Sequence, residues 1–161
     1  KYEDMNSNKN AKVSMEQETT PFGNVLLPAV LLFLDDYRMP IDCASYMYRK
    51  NVDCRIYHKE WIIVRSYWQF VKWIEKNGLP DFISFDHDLA DVVELKEELP
   101  IEQWFDLENN KEYTGMDCAK WLVNYCLDND KPLPKYAVHS ANPAGTENIE
   151  GLFLSFLKNG R

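Results

Sequence analysis

Side chains suited to metal and phosphate chemistry stand at three places in the chain, each directly after a short apolar run. They are Asp35, Asp36, Arg38, Asp86, His87, Asp88, His139, Ser140 and Asn142. Carboxylates bind hard cations, and histidine exchanges protons near neutral pH. Arginine donates two parallel hydrogen bonds to a phosphate. Together these residue types suit chemistry at a phosphoryl group.

Three of the carboxylates are expected to meet at one edge of a sheet. Each like-charge pair at a few ångströms costs on the order of a few kcal/mol at an effective dielectric constant of ~20. Either some of the carboxyls are protonated or a cation lies among them. Oxygen ligands favour Mg²⁺, or Mn²⁺ or Ca²⁺. We therefore assign Asp35, Asp36 and Asp86 as metal ligands, with Asp88 as a fourth ligand or an outer-sphere group.

Each of these residues also has a structural interpretation. An acidic residue after a strand often caps the next helix, and a histidine at a strand end is often simply a hydrogen-bonded structural group. Arg38 can pair with a nearby aspartate instead of binding phosphate. Ser140 and Asn142 can donate to a phosphoryl oxygen or cap the last helix. The sequence leaves these alternatives open.

The elements that position these residues alternate between strands and helices. Apolar runs predict strands at 31–34, 61–64, 82–85 and 136–138. Start and stop signals predict helices after Ser66, from Thr114 and from Pro143. This order indicates an α/β domain with a mainly parallel sheet and right-handed crossovers. In such sheets ligands bind at the carboxyl ends of the strands, where the polar residues lie.

The pattern predicts one folded domain, at 25–161, preceded by a polar flexible arm at 1–24. Two stretches interrupt the alternation. The stretch at 39–58 has little periodicity, and one short helix is expected in it. The stretch at 90–113 is acidic, and it is either a lid over the site or a solvated decoration.

Composition excludes several classes of protein. The 161 residues include 26 acidic and 18 basic side chains, a formal charge of −8, which argues against broad sequence-independent binding of nucleic acid. No apolar run is long enough to span a membrane, and the first residues lack the apolar core of a signal peptide. The four cysteines form no Cys-x-x-Cys pair, so a reducing, cytoplasmic setting is the expectation. A zinc site from Cys43, Cys54 and His58 matches no standard spacing.

Five motifs in order carry a family resemblance: LFLDDYRMP, WIIVRSYWQFVKWI, FISFDHDL, TGMDCAKWL and VHSANPAGTENIE. Together they resemble the cyclic-phosphate-processing receiver domain family, which is related to two-component response-regulator receivers. The resemblance covers about residues 31–157, apart from the two interrupting stretches. It implies a receiver-like (flavodoxin-like) three-layer sandwich with a mainly parallel sheet of about four to five strands.

The resemblance also assigns roles by position. It implies that Asp35 and Asp36 are the acidic pair that binds Mg²⁺ in receivers, and that Asp86 is the aspartate that accepts phosphate in response regulators. Ser140 matches the hydroxyl that senses the phosphoryl group. The features that look particular to the cyclic-phosphate branch are His87, Asp88, His139 and Asn142.

One feature departs from the receiver pattern. Response-regulator receivers have a fifth strand whose last residue is a lysine that contacts the phosphoryl group. No such position is evident here, unless Lys135 or Arg38 substitutes for it. This makes a phosphorelay switch less expected than hydrolysis.

The leading interpretation is a metal-dependent phosphoesterase that acts on a cyclic phosphate, either a 2′,3′-cyclic RNA end or a cyclic nucleotide. Mg²⁺ or Mn²⁺ is the expected cofactor, and Asp86, His87 and His139 are the expected catalytic residues. The expected phosphate-binding residues are Arg38, Asp88, Ser140 and Asn142. The family resemblance implies RNA repair and phage–host conflict as the setting, with a phage or bacterial origin.

Two other functions stay open. The first is a non-enzymatic receiver-like module that binds Mg²⁺ and a phosphate or signalling nucleotide and passes its state to a protein partner through the stretches at 39–58 and 90–113. The second is a structural or interaction protein on the same scaffold. The second predicts that divalent metal has no effect on stability.

Overall fold

The structure is a computed structural model that describes residues 19–20, 23–24, 30–50, 52–89 and 113–159. Of the predicted arm at 1–24, only two short strands are described: β1 (Thr19–Thr20) pairs antiparallel with β2 (Gly23–Asn24). The acidic stretch at 90–112 lies outside the described residues, so the choice between lid and decoration stays a prediction.

A four-stranded parallel sheet forms the centre of the fold. Its strands are β3 (Leu31–Leu34), β4 (Ile62–Val64), β5 (Phe82–Phe85) and β6 (Lys135–Val138). They lie in the order β4-β3-β5-β6, and every neighbouring pair is parallel. The four predicted strands are confirmed to within one residue, because each contains a run of apolar residues; the two central strands, β3 and β5, are also the most deeply buried.

Within the described residues, four α-helices pack around the sheet: α1 (Pro40–Met47), α2 (Tyr67–Asn77), α3 (Gly115–Asp128) and α4 (Pro143–Lys158). The predicted caps are present. The Ser66 side chain accepts a hydrogen bond from the Gln69 backbone N–H, and Thr114 forms a capping box with Asp117. Gly78 ends α2 with a φ of 83°, a conformation that favours glycine.

Alternate residues of each strand face two separate cores. The first core packs α2, α3 and α4 against one face of the sheet, with Phe85, Leu122 and Phe153 fully buried. The second core packs α1 and a 3₁₀ helix at Cys54–His58 against the other face, around Phe33 and Met47. Helices on both faces of a parallel sheet confirm the predicted receiver-like α/β fold.

The stretch at 39–58 contributes more than the single short helix we expected. It contains α1, a 3₁₀ helix at Tyr48–Lys50 and a second one at Cys54–His58. The side chains of Cys43, Ala44 and Met47 form part of the second core. Among the described residues, no helix has the length and apolar character that crossing a bilayer requires.

Candidate metal and phosphate site

The parallel sheet brings three carboxylates together at its carboxyl edge. Asp35 and Asp36 follow β3, and Asp86 follows the neighbouring strand β5. The sheet hydrogen bonds continue past the strands, because the Asp86 N–H donates to the Leu34 carbonyl at 2.8 Å. One oxygen from each of the three carboxylates lies within 4.8 Å of the others. The predicted acidic cluster is therefore present, with Asp35 and Asp86 buried.

Four donors surround the Asp35 carboxylate. Its Oδ1 accepts the backbone N–H groups of Tyr37, at 2.8 Å, and of Arg38. Its Oδ2 accepts Nε of Arg38 at 2.7 Å and faces Nε2 of His139 at 3.1 Å. Burial alone would raise the pKa of Asp35, but the His139 and backbone hydrogen bonds, with the Arg38 charge, hold that pKa well below its usual range. Asp35 is thus ionised and fixed in position.

Arg38 bridges the two buried aspartates. Its Nε lies 2.7 Å from Oδ2 of Asp35, and its second terminal nitrogen lies 2.9 Å from Oδ2 of Asp86. Burial disfavours the charged guanidinium, but the two aspartates outweigh it and raise the Arg38 pKa. Lys135 is the first residue of β6 and pairs with Phe82, the first residue of β5, so it lies at the amino ends of the strands, away from the carboxylates. Of the two residues that the sequence offered for the receiver lysine, the structure therefore brings Arg38 into the site and excludes Lys135.

His139 lies at the buried back of the site. Its ring stacks on Phe33 with centroids 4.4 Å apart and 6° between the ring planes. Its Nδ1 lies 2.7 Å from Oγ of Ser84, and its side chain has no exposed surface. Burial lowers the pKa of His139, so the ring is neutral at physiological pH. The contacts place His139 behind Asp35 instead of at the mouth of the site.

His87 belongs to a second group of residues beside the carboxylates. Its Nδ1 lies 2.7 Å from Oδ1 of Asp88, whose two oxygens each lie 3.3 Å from Nδ2 of Asn142. The hydrogen bond with His87 lowers the Asp88 pKa. Among the described residues, Nε2 of His87 has no hydrogen-bond partner. An imidazole held at Nδ1 by a carboxylate, with Nε2 open, suits proton transfer.

Asn142 also has the structural role that the sequence had left open. Its Oδ1 accepts the Gly145 backbone N–H at 3.0 Å and so caps α4. The buried Oγ of Ser140 accepts the Asn142 backbone N–H at 3.2 Å. Whether Ser140 also contacts a phosphate stays a prediction.

Two glycines let the starts of α3 and α4 press against the loop after β5. A Cβ atom on Gly115 would lie 1.8 Å from the Asp86 carbonyl oxygen, and one on Gly145 would lie 2.3 Å from Cγ of His87. The Gly115 N–H donates to the His87 carbonyl at 2.7 Å. The partly positive amino ends of two helices therefore flank a loop that carries acidic side chains.

Two residues in the site were not predicted from the sequence. The Tyr46 hydroxyl, on α1, lies 2.9 Å from Arg38 and 2.9 Å from the His139 carbonyl oxygen. Arg65 donates to the backbone carbonyls of Asp35, at 2.9 Å, and Arg38, at 2.6 Å. Arg65 directly follows β4, at the carboxyl edge of the sheet, so its place in the sequence could have indicated that it belongs to the site. Tyr46 lies in the stretch that had no clear periodicity.

The donor set fits a hard divalent cation. Octahedral Mg²⁺ binds oxygens at about 2.0–2.1 Å, which places neighbouring ligand oxygens roughly 3 Å apart. Oxygens within 4.8 Å of one another need only small side-chain movements to reach that arrangement. Arg38 already binds one oxygen of Asp35 and one of Asp86, so an ion must share these ligands with the guanidinium or displace it.

Comparison with known families agrees with this geometry. The family model described as the Cyclic-phosphate processing Receiver domain matches residues 30–155. The match covers all four strands of the parallel sheet and nearly all of the helices, so the chain belongs to this receiver family. A search of curated proteins and a search of solved structures found no match to the chain.

Proposed function

We propose that the protein is a Mg²⁺-dependent phosphoesterase that opens a cyclic phosphate, either a 2′,3′-cyclic RNA end or a cyclic nucleotide. The observation that carries the proposal is the carboxylate cluster bridged by Arg38, with His87 on the adjoining loop, whose Nε2 has no hydrogen-bond partner within the described part of the chain. Membership of a cyclic-phosphate processing family supports the substrate class. RNA repair and phage–host conflict, in the cytoplasm, are the setting that we propose with it.

Asp35, Asp36 and Asp86 would hold the ion. Bound Mg²⁺ would polarise the phosphoryl oxygens and offset the charge that grows in the transition state. Arg38 would release one carboxylate and donate to a phosphoryl oxygen, since its planar group suits phosphate. Ser140 would donate its hydroxyl to another phosphoryl oxygen. These contacts fix the phosphorus in front of the attacking group.

His87 would act as the general base. With Nδ1–H donated to Asp88, its Nε2 carries the lone pair that accepts a proton from water. The oxygen of that water forms the new bond to phosphorus, one ribose P–O bond breaks, and the leaving hydroxyl takes its proton from solvent. Asp88 and Asn142 hold the imidazole in place. We assign His139 to holding Asp35, since its ring is buried.

A variant of this mechanism makes Asp86 the nucleophile. Its carboxylate would attack phosphorus, one ribose P–O bond would break, and the leaving oxygen would take a proton from solvent. Water would then hydrolyse the resulting aspartyl phosphate, which releases the opened phosphate and restores the carboxylate. Arg38 contacts Oδ2 of Asp86, and the His87 N–H donates to Oδ1 at 2.8 Å, so both oxygens are engaged before substrate binds. Trapping of phosphate on the protein would support this variant over direct attack by water.

The test is hydrolysis of a short RNA that ends in a 2′,3′-cyclic phosphate, with Mg²⁺ and with EDTA. We expect Mg²⁺-dependent opening that Asp86→Asn abolishes. Asp128→Asn is the matched control. Asp128 is exposed at the end of α3, so this substitution removes the same charge at a position away from the site. Equal rates for Asp86→Asn and the wild type would exclude Asp86 as nucleophile or essential ligand.

The second candidate is a receiver-like module that binds Mg²⁺ and phosphate without turnover and signals to a protein partner. The ion pairs of Arg38 with Asp35 and Asp86 favour this signalling function. A bound ligand that broke one of these pairs would change the conformation of the loop after β3. Saturable binding of the cyclic-phosphate RNA, with no product after long incubation, would establish this function and refute the phosphoesterase.

A further inference from the structure

A chain of buried polar side chains continues from the site into the second core. Nε2 of His139 lies 3.1 Å from Oδ2 of Asp35, and Nδ1 lies 2.7 Å from Oγ of Ser84. The Ser84 hydroxyl lies 2.8 Å from the hydroxyl of Tyr57. All four side chains are buried, and Ser84 stands in a strand that is otherwise apolar.

The direction of the hydrogen bonds follows from their ends. An ionised carboxylate only accepts, so Nε2 of His139 must carry the hydrogen that points to Asp35. Nδ1 then accepts the hydrogen of the Ser84 hydroxyl that faces it, because this direction leaves the Ser84 oxygen free to accept from Tyr57. The Ser84 oxygen in turn accepts the hydroxyl hydrogen of Tyr57. With these directions, each polar hydrogen in this series of buried side chains has one acceptor.

The reverse order leaves a group unsatisfied. If Nδ1 carried a hydrogen, Ser84 would accept it and turn its own hydroxyl towards Tyr57. The Tyr57 hydroxyl hydrogen would then lack an acceptor among the described residues, and a buried polar group without a partner destabilises the fold. The stacking of Phe33 on His139 holds the ring plane.

We propose that Ser84 and Tyr57 are positioning residues, which fix His139 as the Nε2–H tautomer so that it holds Oδ2 of Asp35 towards Arg38 and Asp86. The inference rests on the proposed function in one respect, the assignment of Asp35 as a metal ligand. A group that hydrogen-bonds a metal-ligating carboxylate orients it, and loss of that group typically lowers metal affinity about 10–100-fold. His139 is that group for Asp35, and Ser84 and Tyr57 act through it.

A packing role alone does not account for these residues. Ser84 lies on the face of β5 that meets the second core, and its partners on the neighbouring strands are Phe33 and Ala137. An alanine and a phenylalanine at positions 84 and 57 would fill nearly the same space without desolvating two hydroxyls. The hydroxyls are needed only if Nδ1 of His139 needs a donor.

The experiment uses ¹⁵N NMR of the histidine rings together with calorimetric binding of Mg²⁺ alone, on the full chain. We expect the wild-type His139 ring to be protonated at Nε2, with Nδ1 hydrogen-bonded. Ser84→Ala should remove the Nδ1 hydrogen bond and weaken Mg²⁺ binding by about tenfold. Tyr57→Phe, which keeps the ring and the packing, should weaken it a few-fold. Tyr136→Phe, which removes the hydroxyl of a half-buried tyrosine on β6, is the control and should change neither the His139 ring nor the Mg²⁺ affinity.

The outcomes separate this inference from the proposed function. A His139 ring protonated at Nδ1 overturns the positioning role. Wild-type Mg²⁺ affinity in both Ser84→Ala and Tyr57→Phe also overturns it, and the buried hydrogen bonds would then be purely structural. A wild type that binds no Mg²⁺ overturns both the metal assignment and this role. A wild type that binds Mg²⁺ and shows the expected tautomer, but opens no cyclic phosphate, refutes only the phosphoesterase.

Discussion

Replacing Arg38 with methionine tests whether the guanidinium is the cation that makes the carboxylate cluster tolerable. The substitution keeps an apolar stem of similar length and removes two ion pairs, of 2.7 and 2.9 Å. The Asp35 and Asp86 side chains are only 0% and 7% exposed, so they cannot regain full solvation. Removing one partner of a buried pair costs roughly 3–5 kcal/mol. The Arg38 side chain is 23% exposed, which places our expectation at the lower end, about 3 kcal/mol.

Urea and thermal unfolding in EDTA measure this loss directly. For a domain of this size, a loss of 3 kcal/mol corresponds to a fall in Tm of roughly 6–12 °C. Mg²⁺ should restore much of it, because an ion at one hundred times its Kd stabilises the folded state by about 2.7 kcal/mol. The stabilisation by Mg²⁺ should be larger in the variant than in the wild type, where the ion competes with Arg38.

Arg55→Met is the matched control. Arg55 pairs with Asp53 at 2.6 Å, but these side chains are 50% and 32% exposed. Exposed pairs contribute about 0–1 kcal/mol, so the control should change stability little. A charge-balancing role for Arg38 is refuted if the free energy of unfolding of Arg38→Met in EDTA lies within about 0.5 kcal/mol of the wild-type value. Equal stabilisation of both proteins by Mg²⁺ would refute the competition between the ion and Arg38.

Two further predictions concern the histidines. Gly145→Ala should displace the His87 ring, because the new Cβ would lie 2.3 Å from its Cγ. We expect unfolding measurements to show a stability loss of about 1–3 kcal/mol, and the RNA assay to show that the cyclic phosphate is no longer opened. Gly151→Ala on the same helix, with nothing within 4 Å of its Cβ, should leave activity unchanged and match or slightly exceed wild-type stability. Because the His139 pKa is lowered in the folded protein, the unfolded chain binds the extra proton, so stability should fall as the pH falls below 6.5, by up to about 1.4 kcal/mol per pH unit. Asp35, whose pKa is also lowered, should add a second loss below its ordinary 3.8. His139→Gln should lose the first dependence and weaken the second, because the His139 hydrogen bond is one of the contacts that lower the Asp35 pKa. Urea unfolding from about pH 7.5 to about pH 3 would show both changes; a variant that kept the wild-type slope near pH 6 would contradict the neutral, buried His139.

The strands and the residues at their ends were predictable because their signals are local. Four apolar runs mark the strands, and the parallel order sends every carboxyl end to one edge of the sheet. Asp35, Asp86 and His139 each continue the ladder by one backbone hydrogen bond. Their meeting therefore followed from the chain order alone.

The second core was harder to predict, although its signal was present. Pro40, Cys43, Ala44 and Met47 are spaced i, i+3, i+4 and i+7, and proline is favoured in the first helical turn. Tyrosines around them masked the period, so the stretch looked aperiodic. Tyr46 was missed for the same reason, since its contact with Arg38 depends on where α1 packs.

The bridge made by Arg38 depends on geometry that the sequence does not encode locally. Arg38 is three residues from Asp35 but forty-eight from Asp86, and only the pairing of β3 with β5 brings the second carboxylate to it. Ser84 is similar: a lone serine in a buried strand signals a hidden partner, but Tyr57 and His139 become its partners only in the fold.

The charge of the assembled site links the metal to phosphate binding. Asp35 and Asp86 are two buried negative charges against the one positive charge of Arg38, with Asp36 beside them. His139 is neutral and adds nothing to the balance. A cyclic phosphate diester brings another negative charge, and in a partly buried site that charge is repelled unless a cation enters with it. Binding of the phosphate should therefore require the divalent ion, and Arg38 by itself should not suffice to hold it.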